Sequence, residues 1–168
     1  MFEFIKSYVR FVEAVNYRIG RFAMYGIFVM MAILLWSSIS KSFFTPSLWT
    51  LEMAQFSMVA YYMVGGPYSI QLGTNVRMDL LYGSWTNHTK AWVDAFSVFA
   101  LIFYLGVLLY GGITSTTYAL EYGERSYSSW RPYMAPIKII ACIGIVLMIL
   151  QASAEFLKDV ARIRGKEL

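Results

Sequence analysis

Cysteine and histidine are almost missing from this chain of 168 residues: Cys142 and His88 each stand alone. A single cysteine excludes an intrachain disulfide and a Cys-rich metal site, and its place inside an apolar run makes it a packing residue. A single histidine excludes a bis-histidine haem within the chain. It also leaves the serines and threonines of the apolar runs without an imidazole base beside them, so no buried hydrolase-type nucleophile is expected. Charge is scarce as well: 14% of residues are charged against 58% hydrophobic and 18% aromatic. That is the profile of an integral membrane protein. A handful of spans would use up a chain of this length, leaving no room for a separate soluble domain of ordinary size.

Four runs are long enough to supply the ~20 apolar residues that cross a hydrocarbon core: about 22–40, 49–72, 92–118 and 134–156. Inside a bilayer every backbone amide must be bonded within its own segment, and the runs show no strand-like alternation. The expected fold class is therefore all-α and integral to the membrane, a single membrane domain over residues 1–168 with four transmembrane helices.

Alternating spans place 10 of the 14 Lys and Arg on one side: Lys6, Arg10, Arg18, Arg21, Arg77, Lys90, Lys158, Arg162, Arg164 and Lys166. Lys41, Arg125, Arg131 and Lys138 fall on the other. The asymmetry predicts cytoplasmic N- and C-termini, with the connections around 41–48 and 119–133 outside. Trp49, Trp130 and Tyr133 near outer span ends, and Trp85 and Trp92 near inner ones, fit that orientation.

Residues 1–20 do not read as a signal peptide, because Glu3 and Glu13 interrupt the segment and it has no continuous apolar core. Phe4, Tyr8, Phe11, Val15 and Ile19 recur at helical spacing opposite Glu3, Lys6, Arg10 and Glu13. The expectation is an amphipathic arm in the inner interface, in contact with membrane lipids. It reads equally as a generic anchor or as a docking arm for a partner protein. The connection 73–91 predicts a second, short interfacial helix: Met78, Leu81, Tyr82 and Trp85 form an apolar stripe, Asn75 is a candidate N-cap, and Gly73 and Gly83 bracket the ends. Arg77 and Asp79 flank the stripe, and on the residues alone they read as a solvated pair of little consequence.

The spans are chemically quiet. A self-sufficient ion-coupled transporter needs ionisable or discontinuous helix sites near the midplane, and none is visible. Glu52 lies one turn inside Trp49 at the outer interface, Gln151, Glu155 and Lys158 approach the inner end of the last span, and Lys138 can snorkel outward. Gly65-Gly66-Pro67 should bend the second span as a packing kink. Gly106, Gly111, Gly112, Ser115 and Thr116 give the third a small-residue face for close helix contact. These features exclude an enzyme and leave a scaffold or accessory subunit, with no cofactor, no metal and no nucleic-acid partner of its own.

The segments GGPYSIQLGTNVRMDLLY and GERSYSSWRPYMAPIKIIACIGIVLMILQASAE, in that order and with the early Trp49 and Glu52, resemble the small membrane subunit of TRAP (tripartite ATP-independent periplasmic) transporters. The resemblance runs over essentially the whole chain, including the four-span layout. Where that family commonly has His before Val-Arg-x-Asp, this chain has Asn75, so a role for that His does not carry over, although Arg77 and Asp79 match. The resemblance implies a three-part secondary importer of the bacterial inner membrane. A periplasmic binding protein captures an organic acid, a large multi-span subunit moves it with sodium in an elevator-like cycle, and the small subunit braces the large one's static scaffold. Sodium then belongs to the large partner. It further implies structural or subunit-contact roles for Trp49, Glu52, Gly65, Gly66, Arg77, Asp79, Arg125 and Ser126, and raises Arg77 and Asp79 above the solvated-pair reading. A four-span anchor or assembly subunit of another inner-membrane complex stands as the alternative.

Overall fold

The computed structural model describes residues 2–73 and 86–163, and over them the chain is helical. Helices α1 (Phe2–Met24), α2 (Gly26–Phe43), α3 (Thr50–Leu72), α4 (Asn87–Glu121) and α5 (Ala135–Ile163) follow in chain order. Among the described residues, three stretches are long and apolar enough to cross a membrane: Glu3–Phe43, Trp92–Glu121 and Ala135–Ala161. The segment expected to be the second span forms the 23-residue helix α3, which is long enough at about 34 Å for a ~30 Å core but is not among those three apolar stretches. Its composition is more polar than that of the other three, since Thr50, Glu52, Gln55, Ser57, Ser69 and Gln71 all lie along it.

The boundary between the arm and the first span differs from the expectation. Helix α1 continues to Met24, and Tyr25, which separates it from α2, keeps a helical backbone (φ −70°, ψ −16°). The joined stretch of 41 residues would be roughly 60 Å long, about twice the hydrocarbon thickness, so much of α1 lies outside a single crossing. The stripe expected to be its apolar face is also divided. Phe4 and Phe11 point away from the protein, at 77% and 69% exposure, whereas Val9, Val12 and Asn16 are buried. Val9 and Val12 pack with Ala154, Leu150 and Leu157 of α5.

Contacts along the helices set the directions. Residues of α2 and then α1 meet successive turns of α3: Thr50 lies beside Ser37, Gly26 beside Tyr61 and Gly20 beside Tyr68, and Glu13 beside Gln71. The α1–α2 pair thus runs antiparallel to α3. Helices α3 and α5 run parallel, with Met63 beside Gly144 and Gly66 beside Met148. Helix α4 packs principally on α5, where Leu105 meets Ile145 and Ala152.

Local chemistry explains several ends. Gly73 closes α3 in the left-handed region at φ 62°, donating its N–H to Ile70 O at 3.1 Å, a conformation that costs glycine no Cβ clash. Thr86 caps α4 by accepting the N–H of Thr89, the usual service of a hydroxyl at a helix start. Pro67 sits inside α3 and is buried. Because proline has no N–H, the Met63 carbonyl four residues earlier loses its intrahelical donor. That same oxygen is the atom that Gly144 approaches on α5.

The expected interfacial helix between the second and third spans, with Asn75, Arg77, Asp79, Gly83 and Trp85, lies outside the described residues.

Candidate functional site

Two polar junctions tie the helices together, one at each end of α3. At its N-terminal end Trp49 precedes the helix and accepts the N–H of Met53 at 3.0 Å, with its ring partly exposed. Beside it a chain of hydroxyls runs through Ser37, Thr50, Ser47 and Ser40, each 3.1 Å from the next. Ser37, Ser40 and Thr50 are buried, so these mutual bonds remove the desolvation cost that lone hydroxyls would carry between α2 and α3.

Glu52 follows one turn on, 7% exposed. Its Oε1 accepts the Ser126 hydroxyl at 2.5 Å, a bond across 74 residues of sequence. Ser126 belongs to a tight hairpin between α4 and α5. Its N–H donates to Pro132 O and the Met134 N–H to Glu124 O, both at 3.0 Å, and Arg125 pairs with Tyr133 across an antiparallel bridge. The Arg125 guanidinium donates to the Tyr133 hydroxyl at 2.5 Å and lies 4.2 Å from the centre of its ring, within cation–π range. Glu124 pairs with Lys138 of α5. The hairpin is therefore fastened to α3 through Ser126 and Glu52, and to α5 through Glu124 and Lys138. Of the residues singled out in the sequence, Glu52 and Ser126 meet directly. Trp49 and Arg125 are positioned next to them, and neither makes the contact itself.

The second junction joins α1, α3 and α5 beyond the other end. Asn16 Nδ2 donates to Gln151 Oε1 at 2.8 Å, both residues being almost fully buried. Gln151 Nε2 donates to Glu155 Oε1 at 3.1 Å. Lys158 bridges Glu155 at 3.0 Å and Glu13 of α1, and Gln71 Nε2 donates to the Glu13 backbone carbonyl at 3.3 Å. Tyr8 and Ser153 share a hydroxyl bond at 2.8 Å. Sequence reasoning placed Gln151, Glu155 and Lys158 near an inner span end but had no means of pairing them with Asn16 and Glu13. The Glu155–Lys158 spacing of three was a visible signal, whereas the cross-helix partners depend on how α1 is rotated.

The glycines divide unexpectedly. Gly65 has open space around it, and Gly66 faces the Met148 sulfur at 3.0 Å from an added Cβ. An added Cβ at Gly106 or Gly111 meets nothing within 4 Å among the described residues, and on the small-residue face of α4 it is Gly112 that comes close to a neighbour, Cys142. The tightest approaches are at Gly20, against the Tyr68 side chain, and at Gly144, against the Met63 backbone.

Chemically this arrangement fastens helices and little else. No group of three or more His, Cys, Asp or Glu stands together among the described residues. An open groove of about 400 Å³ between α4 and α5 is lined by Leu109, Ile113, Thr116, Cys142, Ile143 and Val146 and offers no charged group to a solute.

The sequence model of the family described as tripartite ATP-independent periplasmic transporters, DctQ component, matches residues 11–162. The chain belongs to that family. No curated protein matches it, and no solved structure does.

Proposed function

We propose that this DctQ component, a multi-pass membrane protein of a TRAP transporter and not an enzyme, is the static brace of a sodium-coupled importer of organic acids. In this reading it crosses the bacterial inner membrane four times, with α3 as the additional span. It holds the scaffold of a large elevator-type membrane subunit that works with a periplasmic binding protein. Sodium is bound by the large subunit, and this chain carries no cofactor. Family membership sets aside the anchor of an unrelated complex.

The observation that carries the reading is the state of α4. It is 35 residues long, packs principally on α5, and leaves Phe96, Phe99, Phe103, Tyr104, Val107 and Tyr110 exposed at 59–77%. Meanwhile Glu52 and Ser126 at one junction, and Asn16, Gln151, Glu155, Lys158 and Glu13 at the other, bond to one another. A helix surface of this kind supplies van der Waals packing to other membrane helices, which suits a support. Affinity purification of the tagged chain from native membranes tests the reading. A large multi-span protein should be recovered with it in near-stoichiometric amount, and recovery of the chain by itself under gentle detergent would contradict the brace.

Orientation rests on the basic-residue asymmetry. In a Cys142→Ser background, cysteines introduced at Ser7 and Lys166 should resist an impermeant maleimide in intact cells, while one at Ser128 should label. Labelling of the first two from outside would reverse the topology.

Arg77 and Asp79 are assigned to the inner connection or the subunit contact, because a charge held against protein needs a partner. Arg77→Ala and Asp79→Ala should each lower recovery of the complex, and uptake with it, without changing substrate preference. Normal assembly in both variants would return the pair to solvent.

A further inference from the structure

Helix α1 has two faces, and the bundle uses only one. Val9, Val12 and Asn16 are buried against α5, and Gly20 against Tyr68 of α3. At 100° per residue the opposite direction carries Phe4, Phe11, Arg18 and Phe22, with Arg10 and Arg21 on one flank. Phe4, Phe11 and Phe22 are 77%, 69% and 81% exposed, and Arg10, Arg18 and Arg21 are exposed too. None of the three arginines makes an ion pair among the described residues; Arg21 lies 5.7 Å over the Tyr17 ring and donates to no carboxylate. The acidic residues of α1 do not neutralise this face. Glu13 is taken by Lys158 on the packed side, and only Glu3, at the exposed start of the helix, shares the flank.

We propose that this outward stripe of α1 is a binding site for anionic phospholipid. The three phenylalanines enter the acyl boundary and Arg10, Arg18 and Arg21 hold the phosphates. The alternation is what selects a lipid surface over bulk water or a wholly apolar partner. Exposed rings about two and three turns apart have no favourable place in water, while three guanidiniums with no carboxylate partner among the described residues have none in hydrocarbon. An interface of acyl chains beneath negative phosphates satisfies both sets at once. Charge complementarity therefore names the occupant. Because the inner face is locked to α3 and α5, the helix cannot roll over to hide the stripe. The lipid site thus follows from packing within the chain and does not depend on the bracing role or on the transported substrate.

Native mass spectrometry of the full-length chain titrated with phosphatidylglycerol or phosphatidylcholine tests the site. Each basic residue near an anionic surface contributes a factor of roughly five in binding, so removing three should cost on the order of 100-fold. The wild type should retain phosphatidylglycerol over phosphatidylcholine, and the triple variant Arg10→Gln, Arg18→Gln, Arg21→Gln should lose that preference. The triple Lys variant should keep most of it, which separates lost charge from a folding defect. Equal retention of phosphatidylglycerol by the wild type and the Gln variant would overturn the proposal, as would no preference in the wild type. A photoreactive benzophenone placed at Phe11 and activated in native membranes gives the second readout. Adducts with the mass of a phospholipid support the site, and capture of a protein in their place overturns it.

Discussion

Replacing Gly144 with leucine should abolish recovery of folded chain, and Gly144→Ala alone should destabilise it by about 3 kcal/mol, the upper end of overpacking costs. A Cβ at this position would sit 2.5 Å from the Met63 carbonyl oxygen, 2.7 Å from its carbonyl carbon and 2.8 Å from its Cβ. Two of those atoms are backbone, so no rotamer change relieves the clash, and α3 and α5 must separate. The approach has a local cause in Pro67, which strips the Met63 carbonyl of its helical N–H donor and leaves the oxygen facing the Gly144 Cα. Close backbone approach at a small residue is how membrane helices gain van der Waals contact. Gly106→Ala is the matched control. Nothing lies within 4 Å of its Cβ position, and alanine is the better helix former by ~1 kcal/mol. Fluorescence-detected size-exclusion chromatography after a temperature series reads all three variants. Gly144→Leu running as a stable, monodisperse peak would refute the α3–α5 packing.

The second large effect is expected at Lys158. Its ammonium bridges Glu13 on α1 and Glu155 on its own helix, with side chains about a quarter exposed. Lys158→Ala leaves two carboxylates beside each other without a cation. Breaking a fully buried pair costs roughly 3–5 kcal/mol. Partial exposure and solvent screening reduce that to about 2 kcal/mol here, a fall of roughly 4–8 °C in thermal midpoint for a chain of this size. Adding Glu13→Gln should restore more than half of the loss, because the repulsion goes with it. Non-additivity of the pair in a double-mutant cycle measures the coupling. If the two losses simply add, Lys158 does not hold α1 through Glu13.

What could be read from the sequence, and what could not, follows from the solvent. Long apolar runs mark α2, α4 and α5 because a bilayer demands ~20 such residues whatever they pack against. The same solvent hides orientation, since a face turned to lipid and a face turned to a neighbouring helix are both apolar. Phe4 and Phe11 therefore read as the apolar face of α1, while the second face, where Val9 and Val12 pack on α5, was not visible. Gly106 and Gly111 read as contact glycines, and within the described residues the close approaches are at Gly20 and Gly144. Polar residues within the helices were visible as exceptions, and Glu52 and Gln151 stood out at once. Asn16 did not, and Ser126 was reached only through the family resemblance, because a hydrogen bond across 74 or 135 residues leaves no trace in local spacing. The hairpin 124–134 was foreseen only as an outer connection, since its bridge, its Arg125–Tyr133 stack and the positive φ of Arg131 are consequences of closing a short link between α4 and α5.

Reconstituted uptake tests the bracing role most directly. Purified chain, large subunit and binding protein are placed in vesicles in every combination, with an inward sodium gradient and a panel of labelled mono- and dicarboxylates. The account predicts no accumulation by this chain alone and sodium-dependent accumulation of one substrate class when all three are present, with loss of that accumulation when this chain is withheld. Uptake by the isolated chain, or undiminished uptake in its absence, would contradict it.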